Sequence, residues 1–504
     1  MTYNVTLQPT ALTETITVTA ASPVVDVTQS GVSTTYVKDQ LEKLPFSRNY
    51  YFSIVDQTPG ITNLQSEFSG RFIAYGSNVE ETALYMDGVD MSNPEIGIGW
   101  SLPQADIFEE VEISGIGAQA EYGNFSGAVI NIITKSGGNT FAGSAAYYGQ
   151  YDELTGDNNP KPYNEETGEG YYSYNLAKWY DLAFTLGGPF LKDTLWFFGA
   201  LNGNMNKFTN FGKDPNYPAK YTYNQQLIKL SAQIGLSHRL VVGYNRQNSF
   251  GGSSADPYRM PETVCAEDVI IHTWNGIWTW LINKNSFFEL KYSGYAGPDT
   301  YTPWLGGDIH QPPHFDMATG ILSGGPVWSL FYEVKRHQVN GNFTHFADEF
   351  LAGSHEFRAG VQFNRSAVDT YGGYGGGKLY LDYAASPYYL YVQDTNRYGG
   401  TVASIGAFIA DSWKLSERLT INLGLRFDHH DAFIPPFPLM SNFEETGETS
   451  EPIWPPSLKA PAFTVGTVDE RFRRRIIRHL HIGGVPEDFG VEPLGDVAQQ
   501  AEFR

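Results

Sequence analysis

From Phe141 onward the chain alternates hydrophobic and polar positions with a period of two. In IKLSAQIGL, Ile228, Leu230, Ala232, Ile234 and Leu236 fall on one face and Lys229, Ser231 and Gln233 on the other. In HEFRAGVQFN, Phe357, Ala359, Val361 and Phe363 oppose Glu356, Arg358, Gln362 and Asn364. LTINLGLRFD sets Leu419, Ile421, Leu423, Leu425 and Phe427 against Thr420, Asn422, Arg426 and Asp428. Successive side chains of a strand point to opposite faces, so each stretch is a strand with one apolar and one polar face. Eleven such segments begin near residues 141, 180, 194, 226, 239, 272, 286, 332, 355, 402 and 419. Long polar gaps, roughly 151–179, 207–225, 249–271, 297–331 and 366–401, alternate with short ones such as LSHR, NKNS and KLSER. Short turns at one end and long loops at the other predict an antiparallel transmembrane β-barrel. Trp274, Trp278 and Trp280 share one parity, as lipid-facing girdle residues would.

Residues 22 to about 136 have a different texture. YVKDQLEKLP predicts a short helix ended by Pro45, and Asp87-Gly88 in MDGVD suits a tight hairpin. QADIFEEVEIS predicts a helix with acidic residues early, and the nearly continuous apolar run GAVINIITK predicts a strand buried on both faces. Together these describe a small α/β unit. Ahead of it stands ETITVTA, a β-prone and almost uncharged stretch that is either an ordinary edge strand or a segment built to recruit another chain.

Composition narrows the class. Aromatic residues make up 15% of the 504 residues and charged residues 17%, with a mean hydropathy of −0.31. No window approaches the roughly 20 apolar residues of a transmembrane helix, whereas a barrel strand exposes only one face to lipid. The formal net charge is −22 and no Lys/Arg block resembles a stripe that reads a nucleic-acid backbone, which argues against nucleic acid as a partner. The single cysteine, Cys265, excludes an internal disulfide framework. MTYNVTLQPT lacks the marks of a secretory signal, and Met1 is read as a fragment start with the signal peptide missing.

Candidate chemistry adds little. GGYGGGKL has Gly372 and Gly377-Lys378 at phosphate-loop spacing, but Leu379 stands where Ser or Thr would hold magnesium, and the stretch is read as a flexible loop. In DHHD, Asp428 to Asp431, neighbouring strand residues point to opposite faces, so at most two could share an ion. His479 and His481 lack a third ligand, and there is no Gly-x-Ser-x-Gly elbow. The expectation is a protein without catalytic residues, metal or cofactor, and not an enzyme.

The order of several stretches carries a resemblance. ETITVTA is followed by LEKLPFSRNYYFSIVDQTPGI, RFIAYGSNVEETALYMDGVDM, VEISGIGAQAEYGNFSGAVINIITKSGGN, GGPFLKDTLWFFGALNG and IADSWKLSERLTINLGLRFD. This series, over residues 14 to about 430, resembles a TonB-dependent outer-membrane receptor, and looks nearest to the Oar-like branch, whose members carry a carboxypeptidase-regulatory-like β-domain before the plug. The resemblance implies a remnant of that domain over 1–13, a TonB-box-like segment over 14–20, a plug domain over 21–136 and a partial transmembrane β-barrel over 137–431. It implies that Glu14, Thr15, Ile16, Thr17, Val18, Thr19 and Ala20 pair as an added strand with the periplasmic domain of TonB. It assigns plug apices to TNLQSEFSG, YGSNVEET and MSNPEIGIGW, with Gln65, Glu67, Asn78, Glu80, Asn93, Glu95 and Trp100 facing an unknown extracellular ligand. Asp87, Gly88, Gly123, Gly127 and Ile130 become structural plug positions.

The function implied is a receptor of the bacterial outer membrane, held in its lipid, that imports its ligand with energy coupled through TonB. A passive porin or adhesin-like barrel, a non-functional receptor fragment and an outer-membrane enzyme are the alternatives. Plugged barrels have about 22 strands, so eleven predict a half-barrel with two unpaired edges and sequence missing at both ends. Residues 432–504 fall outside the pattern: SNFEETGETSEPIWPPSLKAPAF is Pro-rich, and DERFRRRIIRHLHIGG is a basic run, so this tail is not expected to join the barrel.

Overall fold

A computed structural model describes residues 33–43, 52–63, 72–101, 103–115, 117, 119–123, 125–156, 175–351, 353–416, 419–450 and 462–465. The TonB-box-like segment Glu14–Ala20, the remnant 1–13, and Gln65 and Glu67 lie outside them.

The N-terminal unit is built on seven strands: β1 (Ser33–Val37), β2 (Ile61–Asn63), β3 (Phe72–Ala74), β4 (Ala83–Met86), β5 (Val89–Asp90), β6 (Phe108–Ser114) and β7 (Val129–Thr134). Five form a mixed sheet in the order β1-β6-β7-β4-β5, in which β4 runs parallel to β7. Two short helices, α1 (Lys38–Lys43) and α2 (Phe52–Val55), flank it. Asp87 and Gly88 join β4 to β5 with φ of 48° and 76°, the pair of left-handed residues that a type I′ turn requires.

Two expectations need correction here. QADIFEEVEIS is a single 3₁₀ turn, Ala105–Ile107, followed by strand β6. Phe108, Val111 and Ile113 are buried, and β1 and β7 hydrogen-bond to β6 on its two sides, so sheet pairing overrides the early acidic residues. Strand β7 occupies the centre of the sheet, but only one face is sealed: Val129, Ile130, Ile132 and Thr134 are buried while Ile133 is 39% exposed.

The remaining chain forms a wall of long antiparallel strands: β8 (Ala142–Tyr151), β9 (Asn175–Leu191), β10 (Leu195–Thr209), β11 (Ala219–Ile234), β12 (His238–Gly252), β13 (Cys265–Asn283) and β14 (Ser286–Pro303). Between β14 and the next long strand lie two short ones, β15 (Pro313–Asp316) and β16 (Ile321–Gly324). Then follow β17 (Ser329–Ala347), β18 (Ser354–Gly373), the short β19 (Lys378–Tyr383) and β20 (Ser386–Val392), β21 (Asn396–Ser416) and β22 (Leu419–Phe433). All eleven predicted segments are strands, each paired to its neighbour from β8 to β22. The sheet ends at β8 on one side, and among the described residues its two end strands do not pair with each other.

Two regions exceed the expectation. GGYGGGKL leads through a 3₁₀ turn, Gly375–Gly377, into β19, and β16-β15-β19-β20 form a four-stranded sheet within the long loops; the Leu379 side chain is buried there, so this is not a flexible loop. Beyond β22, β23 (Pro438–Ser441) and β24 (Glu444–Thr449) make a hairpin, and β25 (Ala462–Val465) pairs with Leu425–Asp428 of β22. The sheet therefore extends past residue 433, contrary to the expectation for the tail: Pro-rich sequence between strands does not prevent a later segment from returning to a free edge.

Burial on the wall is inverted relative to a soluble sheet. Ile228, Leu230 and Ile234 are exposed, whereas Lys229 and Ser231 on the opposite parity are buried. Trp278 and Trp280 stack on the outer face at 6.2 Å, with His238 alongside Trp278 at 5.8 Å. The inner, polar face wraps the N-terminal unit, whose core includes Phe198, Ala200, Leu227 and Ile271 from the wall. Replacing Ile130 with Asp buries an unpaired carboxylate in the central strand, and is expected to destabilise the N-terminal unit by more than about 3 kcal/mol. Limited proteolysis should then cut this unit while sparing the wall; an unchanged melting temperature and protection pattern would contradict this core assignment.

Candidate functional site

The site is the seam where the N-terminal unit meets the inner face of the wall. Its strongest contacts are buried ion pairs. Asp87, at the β4–β5 turn, accepts from Lys229 of β11 at 2.9 Å, and also from the Thr134 backbone N–H at 3.0 Å and the Thr134 hydroxyl at 2.6 Å. Lys229 Nζ donates further to the Thr134 carbonyl at 3.0 Å. One carboxylate thus ties together the turn, the central strand of the unit and the wall.

A second node lies at the end of β5. Asp90 pairs with Arg336 of β17 at 2.8 Å, and Arg336 Nε donates to Ser366 of β18 at 2.9 Å. The Asp90 backbone N–H donates to Gln338 Oε1 at 3.1 Å. A third node uses main chain: Arg426 of β22 donates to the carbonyls of Ala120 and Glu121 at 3.3 and 3.0 Å while pairing with Asp428 at 2.7 Å. Gly123 stands against this guanidinium, where an added Cβ would lie 2.5 Å from it. Gly127 is pressed likewise against Ser77 and Thr82. Burial pushes the Glu121 carboxyl up from its ordinary range, and Arg358 opposes the shift.

Between these nodes lies a cavity of about 340 Å³. Tyr85, Asn131 and Ile133 line it from the unit, which accounts for the exposed face of β7; Lys291, Asn340 and Gln362 line it from the wall. Apolar contact with the wall comes from Phe198, Ala200, Leu227 and Ile271 on β10, β11 and β13 and from Tyr295, Tyr332 and Val334 on β14 and β17, and the polar gap lies toward β14 to β22.

Toward the long loops, Asn93, Glu95 and Trp100 gather around Tyr332 of β17. The Tyr332 hydroxyl donates to Asn93 Oδ1 at 2.9 Å, and the Trp100 and Tyr332 rings lie 5.1 Å apart. Asn93 Oδ1 also accepts from the Glu95 and Ile96 N–H groups. Burial raises the Glu95 carboxyl above its usual range, and its hydrogen bond with Tyr332 opposes the rise. Asn93 Nδ2 and Trp100 Nε1 are buried without a hydrogen-bond partner among the described residues. Asn78 and Glu80 are exposed; the Asn78 N–H donates to Glu81, and the Glu80 carbonyl sits close to Gly97, which joins the two apical turns.

The residues not anticipated from sequence are those of the wall: Lys229, Tyr295, Tyr332, Arg336 and Arg426. Tyr295 is fully buried and donates to the Ser92 carbonyl at 2.8 Å. Their signal was parity, since Lys229 and Arg426 sit on the inward face of strands whose other face is apolar, and Arg336 on the inward face of β17.

Comparison with known proteins agrees with this geometry. The chain is 24% identical to the TonB-dependent transporter Oar of Myxococcus xanthus, over 84% of this chain and 50% of that protein. It is 25% identical to the probable TonB-dependent siderophore receptor PirA of Acinetobacter baumannii, over 83% of this chain and 55% of that one. The chain therefore spans about half the length of the curated relatives it matches. The crystal structure of the outer membrane transporter YddB from Escherichia coli superposes with a TM-score of 0.59 at 14% identity, covering 80% of this chain and 57% of that one, a likeness of fold. Residues 201–476 match the outer membrane beta barrel domain, a match that continues through β23 to β25 and beyond β22. With an apolar outer face, a polar inner face and TonB-dependent transporters as its homologues, the chain belongs to the outer membrane beta-barrel family.

Proposed function

We propose that this protein is an outer-membrane receptor that binds an extracellular ligand and imports it with energy coupled through TonB, residues 21–136 serving as the plug. The observation that carries the reading is the polar seam. Asp87–Lys229, Asp90–Arg336 and the Arg426 contacts fasten the N-terminal unit to the inner face of a membrane wall. Such a unit obstructs passive flow, which favours an energised device over an open porin.

The chemistry of the seam suits displacement. Apolar area exposed to water costs about 25 cal/mol per Å², whereas a hydrogen bond exchanged for water costs only about 0.5–1.5 kcal/mol net. A unit held by hydrogen bonds and ion pairs can be withdrawn as water replaces its partners one by one. The 340 Å³ gap toward β14 to β22 gives that water a place to begin. Outside, Asn93, Glu95 and Trp100 with Tyr332 form the ligand-facing group, joined by Asn78 and Glu80 and by Gln65 and Glu67. The unpartnered Asn93 amide and Trp100 indole N–H support this assignment, because buried donors seek acceptors. On the periplasmic side Glu14–Ala20 serves as the strand captured by TonB.

Deleting Glu14–Ala20 is expected to abolish retention of the protein on an immobilised TonB periplasmic domain; undiminished retention would reject the assignment. Arg336→Ala leaves the Asp90 carboxylate buried and unpaired, at a cost of about 3–5 kcal/mol. Cells carrying this variant should become permeable to a large antibiotic, and the double variant Asp90→Asn, Arg336→Gln should recover most of the barrier. Permeability unchanged from the parent would count against the plug reading.

A further inference from the structure

At the long-loop end of the wall the two faces carry opposite charges. Lys220 of β11, Arg246 of β12, Lys335 of β17 and Arg397 of β21 fall on the outward parity, whereas Glu267 of β13 and Asp299 of β14 fall on the inward one. The inward bases lie deeper and are engaged: Lys229 with Asp87, Arg336 with Asp90, Arg426 with Asp428 and Lys291 with Glu289. Acids therefore rim the opening above the N-terminal unit.

The register gathers these acids beside aromatic rings. Glu267 is directly opposite Tyr301, and Asp299, on the same face of β14 as Tyr301, is directly opposite Tyr332 of β17. The inward row continues through Thr370 of β18 to Tyr398 of β21, which is 44% exposed. Glu95 rises from the unit within electrostatic reach of both Tyr332 and Tyr398. Two groups of ring and carboxylate result, Glu267 and Asp299 with Tyr301, and Glu95 with Tyr398, on either side of the buried Tyr332. With neighbouring strands about 4.8 Å apart, β14 and β21 are separated by about 14 Å along the wall, the length of about four extended residues.

Among the described residues no basic side chain pairs with Glu95, Glu267 or Asp299. Glu95 and Glu267 are exposed. Carboxylates gathered without a counter-charge favour a cation, and ring faces beside them strengthen that preference. The two groups do not close on one point, and among the described residues no three acids are placed to hold a metal ion, which takes its oxygens at about 2.3–2.6 Å. A second requirement comes from Asn93, which is 2% exposed: its Oδ1 accepts from the Tyr332 hydroxyl, between the two groups, while its Nδ2 has no partner. Trp100 Nε1, on a ring 5.1 Å from that of Tyr332, is likewise unpartnered. These buried donors call for acceptors. A simple amine brings none, whereas a peptide brings carbonyl oxygens between its charged side chains.

We propose that this opening binds a basic peptide, one cationic side chain entering at Glu267, Asp299 and Tyr301 and another at Glu95 and Tyr398, with backbone carbonyls accepting from Asn93 and Trp100. A net charge of −22 adds long-range attraction for such a ligand. The inference rests on the reading of the long loops as the extracellular side and names the class of ligand that this reading leaves open.

The test is calorimetric titration of the full chain in phosphatidylcholine nanodiscs with acetyl-tri-lysine amide. The parent should bind it saturably, and acetyl-lysine amide, which fills one group only, at least about tenfold more weakly. Glu267→Gln with Asp299→Asn should lower affinity for the tripeptide about tenfold, and Glu267→Gln alone, at an exposed position where folding is not at risk, about threefold. Glu333→Gln, beside Tyr332 in sequence but on the outward face, should leave binding unchanged. No binding by the parent, equal binding of acetyl-tri-glutamine amide, tighter binding of an anionic ferric tris-catecholate, or equal loss in Glu333→Gln would each overturn the proposal. The titration requires neither TonB nor transport. Failure of peptide binding with TonB retention and the permeability barrier intact would sink this inference alone, and the converse result would sink only the import reading.

Discussion

The way the N-terminal unit sits against the wall follows from where charges are desolvated. Lys229 and Arg336 project from membrane strands into a buried interior, and each would be costly there unpaired. Asp87 and Asp90 make them tolerable, and both carboxylates belong to the tip and end of a single hairpin in the N-terminal unit. The wall and the unit therefore specify each other. The hairpin must be tight enough to present two acids three residues apart, and the wall strands must be in register to receive them on β11 and β17. Net stabilisation from such pairs is small, but the cost of a wrong arrangement is large, so their main contribution is to orientation.

The same physics separates two kinds of contact along the seam. The unit is sealed by Phe198, Ala200, Leu227 and Ile271 from β10, β11 and β13 and by Tyr295, Tyr332 and Val334 from β14 and β17, a contact of the kind found in any protein core. Elsewhere on β14 to β22 it faces Asn, Gln and charged side chains across a cavity. Apolar contact resists separation in proportion to its area, whereas a polar gap is already half solvated. A force applied to the unit would meet unequal resistance, and the polar gap would part before the apolar contacts.

The outer face obeys a different solvent. Exposed Ile, Leu, Val and Phe would be a liability in water, but in hydrocarbon they are the favoured surface, and the aromatic and basic residues at its borders mark where lipid gives way to headgroups. Each wall strand thus carries two independent codes on alternate residues, one for lipid and one for the enclosed unit.

Those codes explain what was legible in the residues alone. Period-two alternation located all eleven long strands, because side-chain direction in a strand is a local property that no distant contact can change. Asp87-Gly88 was legible as a turn for the same reason: two left-handed residues in succession are a local requirement. Which polar face belonged to the interior, and which acid met which base, was not legible, since Asp87 and Lys229 are brought together only by folding across more than a hundred residues. QADIFEEVEIS went to strand because β1 and β7 offered it hydrogen bonds, GGYGGGKL was ordered by strands arriving from another loop, and Ala462–Val465 joined the sheet because β22 presented a free edge. Local pattern settles direction and periodicity; partners come from non-local pairing, and a free strand edge or a buried charge accepts whatever segment the tertiary fold delivers to it.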